Sequence, residues 1–320
     1  DSAISYGITV GDFPQYTAQI GHRVYTTNRF SNNVSVVDTD TKSVIATIPV
    51  GTTPVDPIEV GTDLYVMNSG AGTVSVINTL TNTVSNTITI GTGTQPWESA
   101  LVGTELYVMN HSSNTVAIID TNTKTVTGSI TVGAGIKTPR LVGTKLYISR
   151  FTGANVIVID TLTKTITATI PAGAGPHFSS VVGDYLYVSN QNSNNVTVID
   201  TLTDTVVATV PVGTQPQDSK LAGTDLYVTH FNSPNVVVID TLTNTVSNTI
   251  NASNGTSMGV LVGTDLYVLN RLTDSVIVID TLTQSIATTV IVGDLPLDAE
   301  LIGTYLYVSN GSSDNISVID

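Results

Sequence analysis

Short apolar runs closed off by turn residues recur along the whole chain. Residues 216–252 show the unit. A run from Pro216 to Ala222 is followed by a Gly-Thr turn, then Leu226 to Thr229, an Asn-Ser-Pro loop, Asn235 to Asp240, a Thr-Leu-Thr-Asn turn and a last run from Thr245 towards Ile250. Runs this short, rich in β-branched residues and bounded by turn formers, predict four β-strands.

The unit repeats. The glycine that opens Gly-Thr-Asp-Leu-Tyr-Val falls at Gly21, Gly61, Gly103, Gly143, Gly183, Gly223, Gly263 and Gly303, a spacing of 40 residues with a single 42. The matching tyrosines, Tyr25, Tyr65, Tyr107, Tyr147, Tyr187, Tyr227, Tyr267 and Tyr307, are eight of the chain's twelve and read as one packed position per repeat. A four-stranded sheet of this kind cannot bury both faces alone. Radial stacking of copies buries them against each other, so the pattern predicts an all-β, eight-bladed β-propeller of four-stranded antiparallel blades. It is read as a single domain over residues 1–320, with repeats from residue 14 onward.

The two ends complete one blade. Asp1–Ile20 aligns without a gap on Thr283–Ile302, with Gly11 on Gly293 and Pro14 on Pro296. The opening segment is therefore expected to be a fourth strand, Ala3 to Val10, and Pro296 to Asp320 to supply the other three strands of a three-plus-one blade. Pairing them removes raw sheet edges. The short link Gly11-Asp12-Phe13-Pro14 leaves a second possibility, in which this strand completes a neighbour's blade and builds a filament.

The series Leu-Tyr-Val-x-Asn, Val-x-Val-Ile-Asp-Thr and Thr-Ile-x-Val-Gly resembles the YVTN β-propeller repeats of archaeal and bacterial surface-layer proteins, over essentially the whole chain. The resemblance implies a propeller acting as a binding or structural module outside the cell or at its surface. Similar propellers also serve as lyases and cofactor-binding enzymes, so fold alone does not choose.

Composition narrows the partners. The formal net charge of −14 leaves no basic footprint for nucleic acid and disfavours anionic lipid. No run approaches the apolar length of a membrane-spanning helix. With no cysteine, disulfides and thiolate metal sites are excluded. Few lysines and much Thr and Asn predict an extracellular location, and a first residue other than Met fits a mature exported chain.

In a propeller the loop into the first strand and the loop between the second and third strands share one face, here called the top. The other two turns share the bottom. Bottom turns are uniform, and Asp120, Asp160, Asp200, Asp240 and Asp280 read as turn formers whose carboxylates accept nearby backbone N–H groups. Top loops differ between repeats. Four of five arginines (Arg29, Arg140, Arg150, Arg271), three of four histidines (His111, His177, His230) and the only tryptophan, Trp97, fall there, with Phe30, Phe151, Phe178 and Phe231. In blades 4 and 6, Arg150 and His230 replace the repeat asparagine.

This set predicts a ligand site at the top-face channel mouth. Arginine forks suit carboxylates and aromatic rings stack on cations and planar groups, so an anionic or carbohydrate-like ligand is expected at Arg29, Arg140, Arg150, Arg271, Trp97, Phe151 and Phe231. The alternative is salt bridging, with Asp56, Glu98, Asp218 and Asp298 neutralising Arg29, Arg150 and Arg271. No catalytic motif is present. A lyase would draw its base from His111, His177, His230 or Glu98. Those histidines also raise the possibility of a metal, and the eight-bladed domain of nitrite reductases that of a tetrapyrrole, but no cofactor or metal is assigned. The lateral alternative is self-association into a surface layer.

Overall fold

The computed structural model describes residues 6–320, without the Met258 side chain. It holds thirty-two strands and no helix among the described residues. They form eight four-stranded antiparallel sheets. The fold is an eight-bladed β-propeller. Blades 1 to 7 take consecutive strands and begin at Pro14, Pro54, Pro96, Ile136, Pro176, Pro216 and Thr256.

Blade 8 is built as three plus one. Its first three strands are Pro296–Ile302, Tyr305–Asn310 and Asn315–Ile319, and its fourth is Tyr6–Thr9. The closing register is Tyr6↔Val318, Gly7↔Ser317, Ile8↔Ile316 and Thr9↔Asn315. Of the expected strand Ala3–Val10, Ala3 to Ser5 lie outside the described residues. Its pairing covers what would otherwise be a bare edge on Asn315–Ile319.

The chain divides into two compact units. Unit 1 holds blades 8, 1, 2 and 3, from residues up to 129 and from 290 onward; unit 2 holds blades 4 to 7, residues 130–289.

Within each unit the packing explains the repeat. Second and third strands such as Asp63–Asn68 and Thr73–Asn78 are buried nearly end to end, because a blade has a neighbour on each face. Their side chains meet across the gap: Val55, Tyr65, Val74 and Ile88 of blade 2 pack with Leu106, Val108, Ala117 and Ile119 of blade 3. Tyr187, Val196 and Val210 of blade 5 pack likewise with Leu226, Val228 and Ile239 of blade 6. Fourth strands are wet on one side, as in the alternating exposure of Ser43–Pro49. A β-bulge kinks the third–fourth pairing, between Val36 and Val37 in blade 1 and at the same place in blades 2, 4, 5 and 6, which makes each outer edge a poor template for another strand.

The turns follow their chemistry. Gly61, at φ +63° with no atom near a built Cβ, supplies the left-handed residue between first and second strands. Asp160 Oδ1 accepts the N–H groups of Leu162 and Thr163, and these bonds hold its carboxyl below the usual range. The repeat tyrosine does more than fill space. Tyr25 donates to the Asn82 side chain and Tyr147 to Asp204, each reaching the bottom turn of the next blade; Tyr65, Tyr187 and Tyr227 reach the carbonyls of Thr121, Thr241 and Thr281.

Candidate functional site

Of the side chains expected at the top, Trp97, His177 and Phe178 sit in kinks of the first strands, whereas Arg29, His111, Arg150, Phe151, His230, Phe231 and Arg271 lie at the ends of second strands or just after them. In unit 1 the first–second pairing shifts register between Pro14 and Tyr16, between Val55 and Pro57, between Pro96 and Glu98, and between Pro296 and Asp298. In unit 2 the shifts run from Ile136 to Pro139, Pro176 to Ser179, Pro216 to Ser219 and Thr256 to Gly259. Bulges re-aim side chains away from the regular pleat. Trp97 in unit 1, and Lys137, His177, Phe178 and Asp218 in unit 2, all sit in them.

In unit 1 an aromatic stack carries one cation. The Arg29 guanidinium lies 5.0 Å from the Trp97 ring centre and 5.9 Å from that of Phe30. Trp97 stacks on His111 at 5.8 Å, and Phe30 packs on Phe13 at 4.7 Å. Tyr16 lies deeper. Burial pushes its phenol up, the Glu98 carboxylate adds to that, the Trp97 indole hydrogen bond opposes it, and Asp56 and Asp298 push further the same way. These carboxylates also tie blades together: Asp298 accepts the Thr17 N–H at 2.8 Å and its hydroxyl at 2.9 Å, and Asp56 accepts the Ser99 hydroxyl at 2.6 Å.

Unit 2 gathers a different set. The His177 ring lies 4.1 Å from Phe178 and meets Phe151 edge-on at 6.1 Å, while its Nδ1 is 2.9 Å from the Gln191 side-chain amide. All four are half-buried. Arg140 Nε donates to the Ser179 carbonyl at 2.7 Å, joining blades 4 and 5. The half-buried Asp218 has its carboxyl raised by burial, against the pull of Arg140, the Ser219 N–H and Lys220.

Arg150 and His230 keep the shape of the asparagine they replace. In blade 1 the Asn28 amide lies flat under Gly11, where an added Cβ would come within 2.9 Å, and its Nδ2 donates to Asn33 and Ser35. Gly133 covers the Arg150 guanidinium in the same way, with a built Cβ 2.6 Å from it, and Arg150 Nε donates to the Ala134 carbonyl. His230 is fully buried beside Gly213, with Nδ1 3.0 Å from the Asn235 carbonyl. Burial lowers its pKa and so favours the neutral imidazole. The position asks for a planar polar group, and amide, guanidinium and imidazole each meet it.

Within unit 1, then, Arg29, Trp97, His111 and Glu98 form one neighbourhood. Within unit 2, Phe151 and His177 meet, and Arg140 lies beside Asp218. Phe231 and Arg271 are half-buried, with backbone N–H groups on the carbonyls of Gln215 and Gly255. Lys137 and Phe178 sit in the bulges, and Gln191, in the loop after the second strand of blade 5, joins the candidates through its contact with His177. A groove of about 540 Å³ opens elsewhere in unit 2, along the fourth strands of blades 4 and 5 between Ala168–Gly173 and Asp204–Val206, and none of the candidate residues lines it. Among the described residues no three His, Asp or Glu side chains converge as metal ligands.

Many solved structures resemble this chain over nearly its whole length, three of them as follows. BamB from Moraxella catarrhalis superposes with a TM-score of 0.80 at 14% identity, covering 100% of this chain and 98% of its own. The computationally designed Ika8 protein gives 0.82 at 9% identity, with 98% of each chain covered. The dihydro-heme d1 dehydrogenase NirN, in complex with DHE, gives 0.78 at 14%, covering 96% of this chain and 72% of NirN. At these identities they show the fold alone. No protein-family description and no curated protein matches the sequence.

Proposed function

We propose that this chain is an extracellular or cell-surface binding module whose ligand is anionic or carbohydrate-like and is held by the top loops of unit 2. The carrying observation is the cluster of Phe151, His177 and Phe178, with Gln191 fixed to the histidine. His177 and Phe178 lie on the first strand of blade 5, whose neighbours in blades 4 and 6 carry Lys137, Arg140 and Lys220 against the single acid Asp218. Rings offer flat apolar faces to a sugar, the glutamine amide and imidazole supply hydrogen bonds, and the cations favour a carboxylate. An extracellular location is supported by the composition and by the surface-layer resemblance of the repeat. The wider class, a propeller that binds or builds, agrees with the fold of its structural neighbours.

A uronic-acid oligosaccharide tests this reading by isothermal titration calorimetry. Binding should be seen with wild-type protein and weaken at least about tenfold in Phe151→Ala and in His177→Ala, the loss of one stacking or hydrogen-bonding partner of ~1.4 kcal/mol. Equal affinity in both variants would remove this cluster from the site.

A further inference from the structure

We infer that the junction of blade 6 with blade 7 is an N-glycan acceptor, with Asn251, the exposed last residue of the strand Thr245–Asn251, the principal site and Asn254, in the loop that follows, the secondary one. Seven Asn-x-Ser/Thr triplets occur, at Asn33, Asn110, Asn195, Asn251, Asn254, Asn310 and Asn315. The triplet is the acceptor signature for asparagine-linked sugar, and in a chain this rich in Asn, Ser and Thr it has no weight alone. The structure divides the seven.

Five belong to the repeat's own hydrogen-bond network. The buried second-strand asparagine donates through Nδ2 to an Asn side chain five residues on and to a Ser or Thr hydroxyl seven residues on. Asn28 bonds Asn33 and Ser35; Asn190 bonds Asn195 and Thr197; Asn310 bonds Asn315 and Ser317. That pairing writes Asn-Val-Ser, Asn-Val-Thr and Asn-Ile-Ser into the third strand as a packing requirement. The hydroxyls of Ser35, Thr197 and Ser317 are buried. Asn110 and Asn310, the donors themselves, are 1% and 0% exposed. A glycan on any of these five would break the network or need room inside a blade.

Packing asks nothing similar at Asn251 and Asn254. Where blades 1, 5 and 8 are linked to the next by Val-Gly-Thr-Thr, Val-Gly-Thr-Gln and Val-Gly-Asp-Phe, this link reads Ala252-Ser-Asn-Gly255, between strand residues Asn251 and Thr256. Asn251, Ser253 and Asn254 are all exposed. Asn251 therefore offers both the amide that takes the sugar and the hydroxyl that the signature requires. Asn254 is secondary because its hydroxyl partner, Thr256, is fully buried and hydrogen-bonded to the His230 backbone at both N–H and carbonyl. The donor is of the polyprenyl-diphosphate glycosyl class, acted on by a transferase. The Asn251 amide nitrogen forms a bond to the anomeric carbon, the anomeric C–O bond breaks, the lipid diphosphate leaves with the electron pair, and one amide proton passes to a base on the transferase. No oxidation or reduction takes place.

The test secretes the full chain from a eukaryotic host with N-glycosylation machinery, so the result does not depend on where the protein naturally resides. Site occupancy is mapped on the folded product by amidase release in heavy-oxygen water and peptide mass spectrometry. Asn251 should be the main occupied site, with Asn254 the only other, and both Asn251→Gln and Ser253→Ala should abolish occupancy at 251. An unglycosylated folded product, occupancy at any of the five network triplets, or occupied Asn251 in Ser253→Ala would overturn the proposal. Bacterially produced protein gives a second reading: Asn251→Gln should melt within about 1 °C of wild type and Asn195→Gln several degrees lower. Equal melting of the two would remove the basis for dividing the triplets.

Discussion

The first strands of the two units are built on one repeat and carry opposite charge. In unit 1 they hold Asp56, Glu59, Glu98, Asp298 and Glu300 and no lysine or arginine. In unit 2 they hold Lys137, Arg140 and Lys220 and the one acid Asp218. Both sets fasten neighbouring blades, by different means: carboxylates of Asp56 and Asp298 accept from Ser99 and Thr17 in unit 1, while Arg140 donates to the Ser179 carbonyl and Ser180 to that of Ser219 in unit 2. Folding needs a bond at this level and does not specify its chemistry. The choice of charge is therefore free to serve a ligand, and the difference supports the proposal of an anion site in unit 2.

The largest effect should come from opening blade 8. Deleting residues 1–10 removes the four-residue ladder on Asn315–Ile319 and the buried Ile8, which packs with Val24, Val37 and Ile316. Burial of such a side chain contributes ~2 kcal/mol, and with the lost pairing the melting temperature should fall by about 5–10 °C in scanning calorimetry. The damage should concentrate in unit 1, read by hydrogen exchange, and equal loss of protection in unit 2 would show the two units to be one cooperative body.

High pH should weaken both units alike. Burial pushes the phenols of Tyr65 in unit 1 and Tyr187 and Tyr227 in unit 2 up to about 12, from an ordinary value near 10. A raised folded pKa means that the native state holds its protons longer than the unfolded chain, so this stability is full below pH 10 and is lost as pH rises from 10 to about 12. Chemical denaturation at pH 9 and pH 11.5 should show a marked loss. Constant stability across that window would mean the phenols ionise freely in the fold.

A smaller contrast separates two tyrosines. Tyr147 donates to the Asp204 carboxylate, which also receives Lys145 at 2.7 Å, whereas Tyr65 donates to the neutral Thr121 carbonyl. A hydrogen bond to a charged partner contributes more than one between neutral groups, so Tyr147→Phe should cost about 2 kcal/mol and Tyr65→Phe about 1 kcal/mol in urea unfolding. Equal costs would deny the carboxylate any special role.

Nearly all of the fold is legible in the sequence, because each repeat states the same strand and turn chemistry again and the two ends align onto one blade. The roles within a strand are less legible. The tyrosine reads as an apolar packing residue, since nothing near it in sequence reveals that its hydroxyl reaches a turn of the next blade, 54 to 57 residues away. Arg150 and His230 read as departures of functional type because the sequence does not show the glycine packed beside each, Gly133 and Gly213. The bulges are invisible for a related reason. They depend on register between strands, and Trp97, His177 and Phe178 owe their direction to them.

The direct test of the charge comparison is a matched pair of substitutions, Lys137→Glu in unit 2 and Glu98→Gln in unit 1, titrated with the same uronic-acid oligosaccharide at low ionic strength. Reversing one charge in a binding site costs on the order of tenfold or more in affinity, so Lys137→Glu should bind at least about tenfold more weakly than wild type while Glu98→Gln stays within about twofold. Unchanged affinity in Lys137→Glu, or a larger loss in Glu98→Gln, would contradict the assignment of the anion site to unit 2.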